Sequence, residues 1–84
     1  MSHTSAPTFS TVRFMEGYDI NEVDSFIRDV EPQVARNSPD AELAHRITAA
    51  RFTPVRMRRG YDMGEVDAYL DQLVERAFTG RGPT

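Results

Sequence analysis

The sequence predicts an all-α domain of short amphipathic helices with coiled-coil-like packing. Two observations carry this prediction. A helix-start motif, Gly-Tyr-Asp-x-x-Glu-Val, occurs twice, and apolar residues follow each copy at the spacing of one helix face. The length of 84 residues permits one small domain with a thin core.

The chain contains an internal duplication. When it is shifted by 43 positions, residues 9–27 align with residues 52–70, and nine of the 19 pairs are identical. This is far above the chance level for ordinary residue frequencies, so the two segments are copies of one helical unit.

Each copy carries the parts of a helix start. The glycine is expected to supply a turn with positive φ, and the aspartate to cap the helix. The glutamate three residues later has capping-box spacing, and the tyrosine before the cap can pack on the valine in the first turns. The motif residues are Gly17, Tyr18, Asp19 and Glu22 in the first copy and Gly60, Tyr61, Asp62 and Glu65 in the second.

The pattern predicts three helices, over residues 20–35, 39–51 and 62–78. Pro32 is expected to kink the first helix or to end it near residues 30–31. The middle helix is expected to begin with Asn37 or Ser38 as its cap and Pro39 at its first position.

The duplication also sets the expected organisation. Repeat one covers residues 9–36, and a linking helix with repeat two covers residues 37–78. Residues 1–8 and 79–84 are expected to be mobile tails. Each repeat opens with a Phe-x-x-Val-Arg segment, which is expected to be extended and to pack back onto the helices.

Composition excludes several classes of site. There is no cysteine, so disulfides and cysteine-based zinc sites are excluded. His3 and His45 lack a partner at helical spacing, and no nucleophile, phosphate loop or carboxylate pair indicates catalysis. We therefore expect a non-enzymatic protein without cofactor or metal. No apolar run long enough to span a membrane and no signal pattern is present, which predicts a cytoplasmic protein.

Charge is distributed unevenly. Residues 1–42 hold three arginines and eight acids, a net charge of −5, whereas residues 43–84 hold seven arginines and five acids, a net charge of +2. Four arginines and no acid lie between Arg51 and Arg59. Three interpretations of this stretch are open: a solvated loop, a contact for a membrane or an acidic partner, and a contact for nucleic acid. Two loop-to-helix ion pairs, Arg13 with Asp24 and Arg56 with Asp67, are alternatives to solvated carboxylates.

The duplicated pattern Phe-x-x-Val-Arg-x-x-x-Gly-Tyr-Asp-x-x-Glu-Val-Asp-x-Phe/Tyr-Ile/Leu resembles the N-terminal signature of DivIVA-type proteins. These are coiled-coil scaffolds of Gram-positive bacteria that gather at curved membrane, poles and septa. The apolar stripes of the two repeat helices, which three short helices cannot fully cover, predict self-association as a homodimer, as does the resemblance. An intramolecular pairing of the two repeats is the competing arrangement. The resemblance also implies contact with other coiled-coil division proteins and a peripheral location at the inner face of the membrane.

In that family, the loop before the glycine presents an apolar residue flanked by cations to the membrane. Carried onto this chain, the membrane or partner contacts are Phe14 and Met15 in the first loop and Met57, Arg58 and Arg59 in the second. Glu16 departs from the pattern, so lipid contact is expected mainly from the second loop and packing or partner contact from the first. The long C-terminal coiled coil of the scaffolds is not expected from these 84 residues.

The expected function is a non-catalytic interaction or scaffold module in bacterial cell division or polar growth. A small helical DNA-binding or regulatory protein that uses the Arg51–Arg59 stretch is the alternative.

Overall fold

The computed structural model describes residues 9–36 and 38–80. Along the chain these form β1 (Thr11–Val12), β2 (Gly17–Tyr18), α1 (Ile20–Val34), α2 (Ala41–Thr48), β3 (Pro54–Val55), β4 (Gly60–Tyr61) and α3 (Met63–Thr79). The predicted tail over residues 1–8 lies outside the described residues, as do residues 81–84. Thr79 and Gly80, placed in the predicted C-terminal tail, are instead the last residue of α3 and its C-cap.

The prediction of an all-α fold is wrong, because three helices are joined by a four-stranded antiparallel sheet of order β1-β4-β2-β3. The extended segments pair with one another instead of only lying on the helices. Each strand has two residues, too few to show the alternation of apolar and polar residues that reveals a strand in a sequence.

The sheet interlocks the two repeats. β1 of repeat one pairs with β4 of repeat two, and β3 of repeat two pairs with β2 of repeat one. The central strands β2 and β4 meet at equivalent residues, Tyr18 opposite Tyr61. The repeats are therefore related by an approximate two-fold axis through this central pair, and neither has a complete sheet without the other.

The repeat helices lie close to their predicted positions. α1 continues through Pro32 to Val34 instead of ending at residues 30–31. The proline is exposed, so the carbonyl that loses its helical donor need not be buried. α3 ends at Gly80, whose φ of 73° is the left-handed C-cap that glycine favours.

The middle helix is shorter than the predicted 39–51 and begins later. Its cap is Asp40, whose carboxylate accepts the backbone N–H of Leu43 at 2.9 Å. The backbone N–H of Asp40 donates to the carbonyl of Ala77 at 2.7 Å. Anchoring on α3 thus sets the start of α2 at Asp40, so Ser38 and Pro39 precede the helix. Asn37 lies outside the described residues.

The core is shared by all three helices and receives Phe9 from the N-terminal segment. α2 packs most extensively on α3, whereas α1 and α3 contact each other over a short stretch. The buried apolar residues of this cluster are Phe9, Val23, Ile27, Val30, Val34, Leu43, Ala44, Ile47, Val66, Leu70, Leu73 and Ala77. The apolar stripes of α1 and α3 are thus mostly covered within one chain, while Phe26, Tyr69 and Val74 are partly buried.

Candidate functional site

The two motif glycines allow the central strands to approach each other closely. A Cβ atom at Gly60 would lie 2.7 Å from Cγ2 of Val55 and 2.9 Å from the carbonyl oxygen of Tyr18, and one at Gly17 would lie 2.9 Å from the carbonyl oxygen of Tyr61. Neither glycine has positive φ. The expectation of a positive-φ turn is therefore wrong, and the missing side chain is what the site requires.

The motif glutamates bind the other repeat. The carboxylate of Glu22 accepts the backbone N–H of Thr53 at 2.7 Å, and that of Glu65 accepts the backbone N–H of Ser10 at 2.7 Å. Two further bonds join the same segments, from the N–H of Asp19 to the carbonyl of Thr53 at 2.9 Å and from the N–H of Asp62 to the carbonyl of Ser10 at 2.8 Å. In the predicted capping box, each glutamate carboxylate would accept the backbone N–H of its own cap residue. Here it accepts a backbone N–H of the other repeat instead.

The motif tyrosines join each strand to the opposite helix. The Tyr18 hydroxyl donates to Asp67 at 2.8 Å, and the Tyr61 hydroxyl donates to Asp24 at 2.7 Å. The aspartates therefore bind neither Arg13 nor Arg56, as the ion-pair alternative required, nor are they only solvated. Burial, followed by the hydrogen bond to Asp24, raises the pKa of Tyr61 to about 12, and burial with Asp67 raises the pKa of Tyr18.

The aromatic residue that opens each repeat completes this interlock. The ring of Phe9 lies 5.1 Å from that of Tyr61, and the ring of Phe52 lies 5.3 Å from that of Tyr18. The tyrosine rings therefore pack on the phenylalanine of the other repeat, which is a contact that the predicted packing within one helix start did not include.

The helix caps are present as predicted. Asp19 accepts the backbone N–H of Glu22 at 3.0 Å, and Asp62 accepts that of Glu65 at 3.0 Å. Asp19 also binds the Arg58 guanidinium at 3.2 Å. The pKa of Asp19 lies below its usual value, first because of the bond from Glu22 and then because of Arg58.

The two loops form one exposed face, which we call the tip face and define as residues 13–16 and 56–59. The first loop joins β1 to β2, which lie on either side of β4, so this loop crosses β4. The second loop joins β3 to β4, which lie on either side of β2, so it crosses β2. The axis that relates the antiparallel central strands is perpendicular to the sheet, so the two loops lie on the same side of it. All eight residues are exposed, whereas the tyrosines of β2 and β4 reach the helices on the other side.

The tip face is both apolar and cationic. Of the four exposed large apolar side chains in the described residues, three lie here: Phe14, Met15 and Met57, with exposed fractions of 78%, 60% and 82%. Four arginines and one glutamate give the face a net charge of +3, although the whole chain has −3. The predicted contact residues of both loops are therefore brought together, and Arg58 is the one that also binds within the chain.

Phe14 has an unusual backbone conformation. Its φ of 65° is the one positive value at a non-glycine residue among the described residues. A bulky side chain in this region costs about 1–2 kcal/mol. The strained conformation holds an exposed phenyl ring at the end of the first loop, where it packs against no part of the core.

No residue of the basic stretch from Arg51 to Arg59 lies in a helix. Arg51 donates to the carbonyls of Thr48 and Ala50 just after α2, and the other three arginines lie on the tip face. This stretch therefore lacks the recognition helix that a major-groove reader inserts into DNA.

Sequence reasoning assigned the motif residues to helix starts and missed their contacts between repeats. The available signal was the identity of the aspartates at positions 24 and 67, which a helix start does not require.

Within residues 9–36 and 38–80, no group of side chains is arranged to hold a metal ion. No helix of this described part is long and apolar enough to cross a bilayer. No protein-family model, curated protein or solved structure matches the chain.

Proposed function

We propose that this protein is a non-catalytic interaction module of the DivIVA type that binds an anionic membrane surface through its tip face. The observation that carries the proposal is the tip face itself, where three of the four exposed large apolar side chains of the described residues lie among four arginines. Large apolar side chains that are exposed together on one face are characteristic of a protein or membrane contact.

Electrostatics supports a weak peripheral interaction. Each arginine near an anionic surface contributes about 1 kcal/mol, and this contribution falls off within a Debye length, about 8 Å at physiological ionic strength. Insertion of an apolar side chain adds about 1.5–3 kcal/mol when it is fully buried. Because the interlocked sheet holds both loops on one side, Arg13 of the first loop adds to the attraction that residues 56–59 supply.

The two loops have different roles in this proposal. Residues 56–59 carry three of the four tip arginines and no acid, so they supply most of the attraction to lipid. Glu16 reduces that attraction in the first loop. Phe14 and Met15 then serve contact with a protein partner, for which other coiled-coil division proteins at a septum or pole are our candidates.

Vesicle co-sedimentation tests the lipid contact. Since Arg58 also binds Asp19, the most informative variant is the double change Arg56→Glu, Arg59→Glu, with Arg58→Glu, Arg59→Glu as a second. We expect binding to vesicles with anionic phosphatidylglycerol, little binding to phosphatidylcholine vesicles, and loss of binding in both variants and at raised salt. The matched control is Arg28→Glu, Arg36→Glu, which makes the same charge change on exposed residues of α1 and just after it.

Phe14→Ala separates the two loops. We expect it to retain most vesicle binding and to lose partner contact. Binding that survives Arg56→Glu, Arg59→Glu but disappears with Phe14→Ala would reverse this assignment. Equal binding to neutral and anionic vesicles would contradict the proposal as a whole. Fluorescence anisotropy with duplex DNA tests the alternative, and salt-sensitive binding of DNA without binding of vesicles would favour it.

Phe14→Gly tests whether the strained backbone at Phe14 serves contact with a protein partner. Glycine adopts positive φ at little cost, so the variant should raise the free energy of unfolding by about 1 kcal/mol. The same variant removes the ring and should weaken partner contact. A variant that is more stable and unchanged in every interaction would show that the strained ring has no role in contact.

A polar or septal focus of a fluorescent fusion in a growing Gram-positive bacterium would connect the module with division or polar growth. The Arg56→Glu, Arg59→Glu variant should disperse that focus.

A further inference from the structure

We infer that a cleft beside α3 binds the tip face of a second copy of this chain, which produces head-to-tail association. The cleft has a volume of about 390 Å³ and lies between α3, the end of α2 and the segment after it. Its apolar floor includes Leu70 and Val74. Its charged lining is Asp67, which accepts the Tyr18 hydroxyl, together with Asp71 and, after α2, Arg51. We call it the α3 cleft.

The duplication provides an internal comparison for this surface. The residues of repeat one that correspond to Asp71 and Val74 are Arg28 and Glu31. Glu31 accepts a hydrogen bond from the Tyr69 hydroxyl of α3, which links α1 to α3 at the equivalent surface of repeat one. At the α3 cleft, the residues equivalent to Glu31 and Tyr69 are Val74 and Phe26. Neither side chain has a polar group that could form this hydrogen bond. The α3 cleft thus lacks the polar link that is present at the corresponding surface of repeat one.

The chemistry of the α3 cleft matches that of the loop 56–59. Two aspartates and one arginine give the cleft lining a net charge of −1, so its apolar floor suits an occupant with an apolar side chain next to a cation. Met57 is 82% exposed, and Arg56 and Arg59 on either side form no ion pair among the described residues. Charge complementarity of this kind favours encounter and fixes orientation.

None of residues 56–59 lines the α3 cleft of its own chain. The loops lie on one side of the sheet, whereas Tyr18 extends to the other side, where it binds Asp67 in the cleft wall. Two different surfaces of the same chain therefore complement each other only between copies. Such a heterologous contact leaves one tip face and one cleft free at the ends, so association does not close at a dimer.

The contact is small and should be weak. One loop and one cleft bury less than the roughly 1,200 Å² of a standard interface, the range of transient complexes. We therefore expect association to appear toward millimolar concentration and to decrease with salt, because the charges are exposed.

Sedimentation velocity and light scattering of the full chain from micromolar to millimolar concentration provide the test. The wild-type mass should rise continuously without a plateau at two chains. The cleft variant Asp71→Arg, Val74→Glu places the residues of repeat one in repeat two, and the tip variant is Met57→Gln, Arg59→Asp. Each alone should associate at least about tenfold more weakly, as loss of a close charge pair predicts. The control Arg28→Asp changes charge outside the cleft and should associate like wild type.

Mixing the variants distinguishes a heterologous contact from a symmetric one. The cleft variant keeps its tip face and the tip variant keeps its cleft, so an equimolar mixture should form complexes of one chain of each. Urea unfolding of each variant confirms that it is folded, and Asp71→Arg alone serves if the double cleft variant is not.

A wild-type chain that remains monomeric throughout overturns the inference, as does a plateau at two chains that is insensitive to the cleft variant. Since the cleft variant keeps its tip face intact, absence of association leaves the vesicle result unaffected, and the two proposals are judged separately.

Discussion

Replacement of Gly60 by alanine tests whether the interlock depends on close approach of the central strands. The added Cβ would lie 2.7 Å from Cγ2 of Val55, 2.9 Å from the carbonyl oxygen of Tyr18 and 3.2 Å from the carbonyl carbon of Gly17. Two of these three atoms belong to the backbone of β2, which is paired with both β3 and β4. The clash therefore requires the strands to separate.

The expected loss of stability follows from these distances. Overpacking of a close-packed site costs about 1–3 kcal/mol. Because a backbone carbonyl cannot turn away as a side chain can, we expect the upper part of that range, about 2–3 kcal/mol. For a domain of this size each kcal/mol shifts the Tm by about 4–8 °C, so the Tm should fall by about 10–20 °C.

Urea unfolding followed by circular dichroism measures this loss. Gly64→Ala is the matched control, since Gly64 is exposed in the first turn of α3, and its nearest contact with an added Cβ would be Asp62 Oδ1 at 3.3 Å. Repeat one has Asn21 at the equivalent position. Alanine there should be neutral or stabilising by up to about 1 kcal/mol.

Asparagine separates the two explanations for the glycine. If Gly60 were needed for positive φ, Gly60→Asn would be better tolerated than Gly60→Ala, because asparagine adopts that conformation more readily. If close approach is the reason, the larger side chain should be at least as harmful. A Gly60→Ala variant within about 0.5 kcal/mol of wild type, the usual range of surface substitutions, would refute the packing argument.

Three further predictions concern the polar contacts. Asp62→Ala removes the acceptor of the Glu65 N–H and should cost about 1 kcal/mol in urea unfolding; an unchanged midpoint would contradict its role as a cap. Tyr61→Phe should cost about 1 kcal/mol or less, because its bond to Asp24 is only partly buried. Since the pKa of Tyr61 is raised from 10.0 to about 12, its contribution should be complete below about pH 10 and be lost as the pH rises through 12. The phenylalanine variant should lack that part of the alkaline loss of stability, and an identical pH profile would exclude it. The pKa of Asp19 is lowered from 3.8, so its contribution is present above that value and is lost as the pH falls through the folded-state pKa. Asp19→Asn should flatten the acid limb of the stability profile, and an acid limb as steep as that of wild type would show that Asp19 does not contribute to it.

The helices and their caps could be predicted because their signals are local. Asp19 and Asp62 cap the helices that the motif indicated, and the apolar spacing after them matches the buried faces of α1 and α3. Pro32 does not end α1, because an exposed proline need not leave a buried carbonyl without a donor. Asp40 was not recognised as a cap because its position depends on the bond to Ala77, a residue distant in sequence.

The sheet could not be predicted, because its information is divided between the repeats. A strand of two residues has no periodicity of its own, and the partner of β1 is β4, at the start of the other repeat helix. The same division concealed the role of Glu22. Its spacing from Asp19 is that of a capping box, but its carboxylate binds Thr53, and only the folded chain shows which of two possible donors it uses.

The differences between the repeats are as informative as the identities. The residues that hold one repeat to the other are largely shared: glycine, tyrosine, aspartate and glutamate occur at equivalent positions. In the loops, arginine is retained at positions 13 and 56, whereas the other three positions of each loop differ. These residues are exposed and contribute little to the core, so their chemistry can change without loss of the fold. An interlocked sheet therefore provides a rigid frame on which two neighbouring loops acquire separate specificity, and substitutions in the loops should alter what the protein binds before they alter its stability.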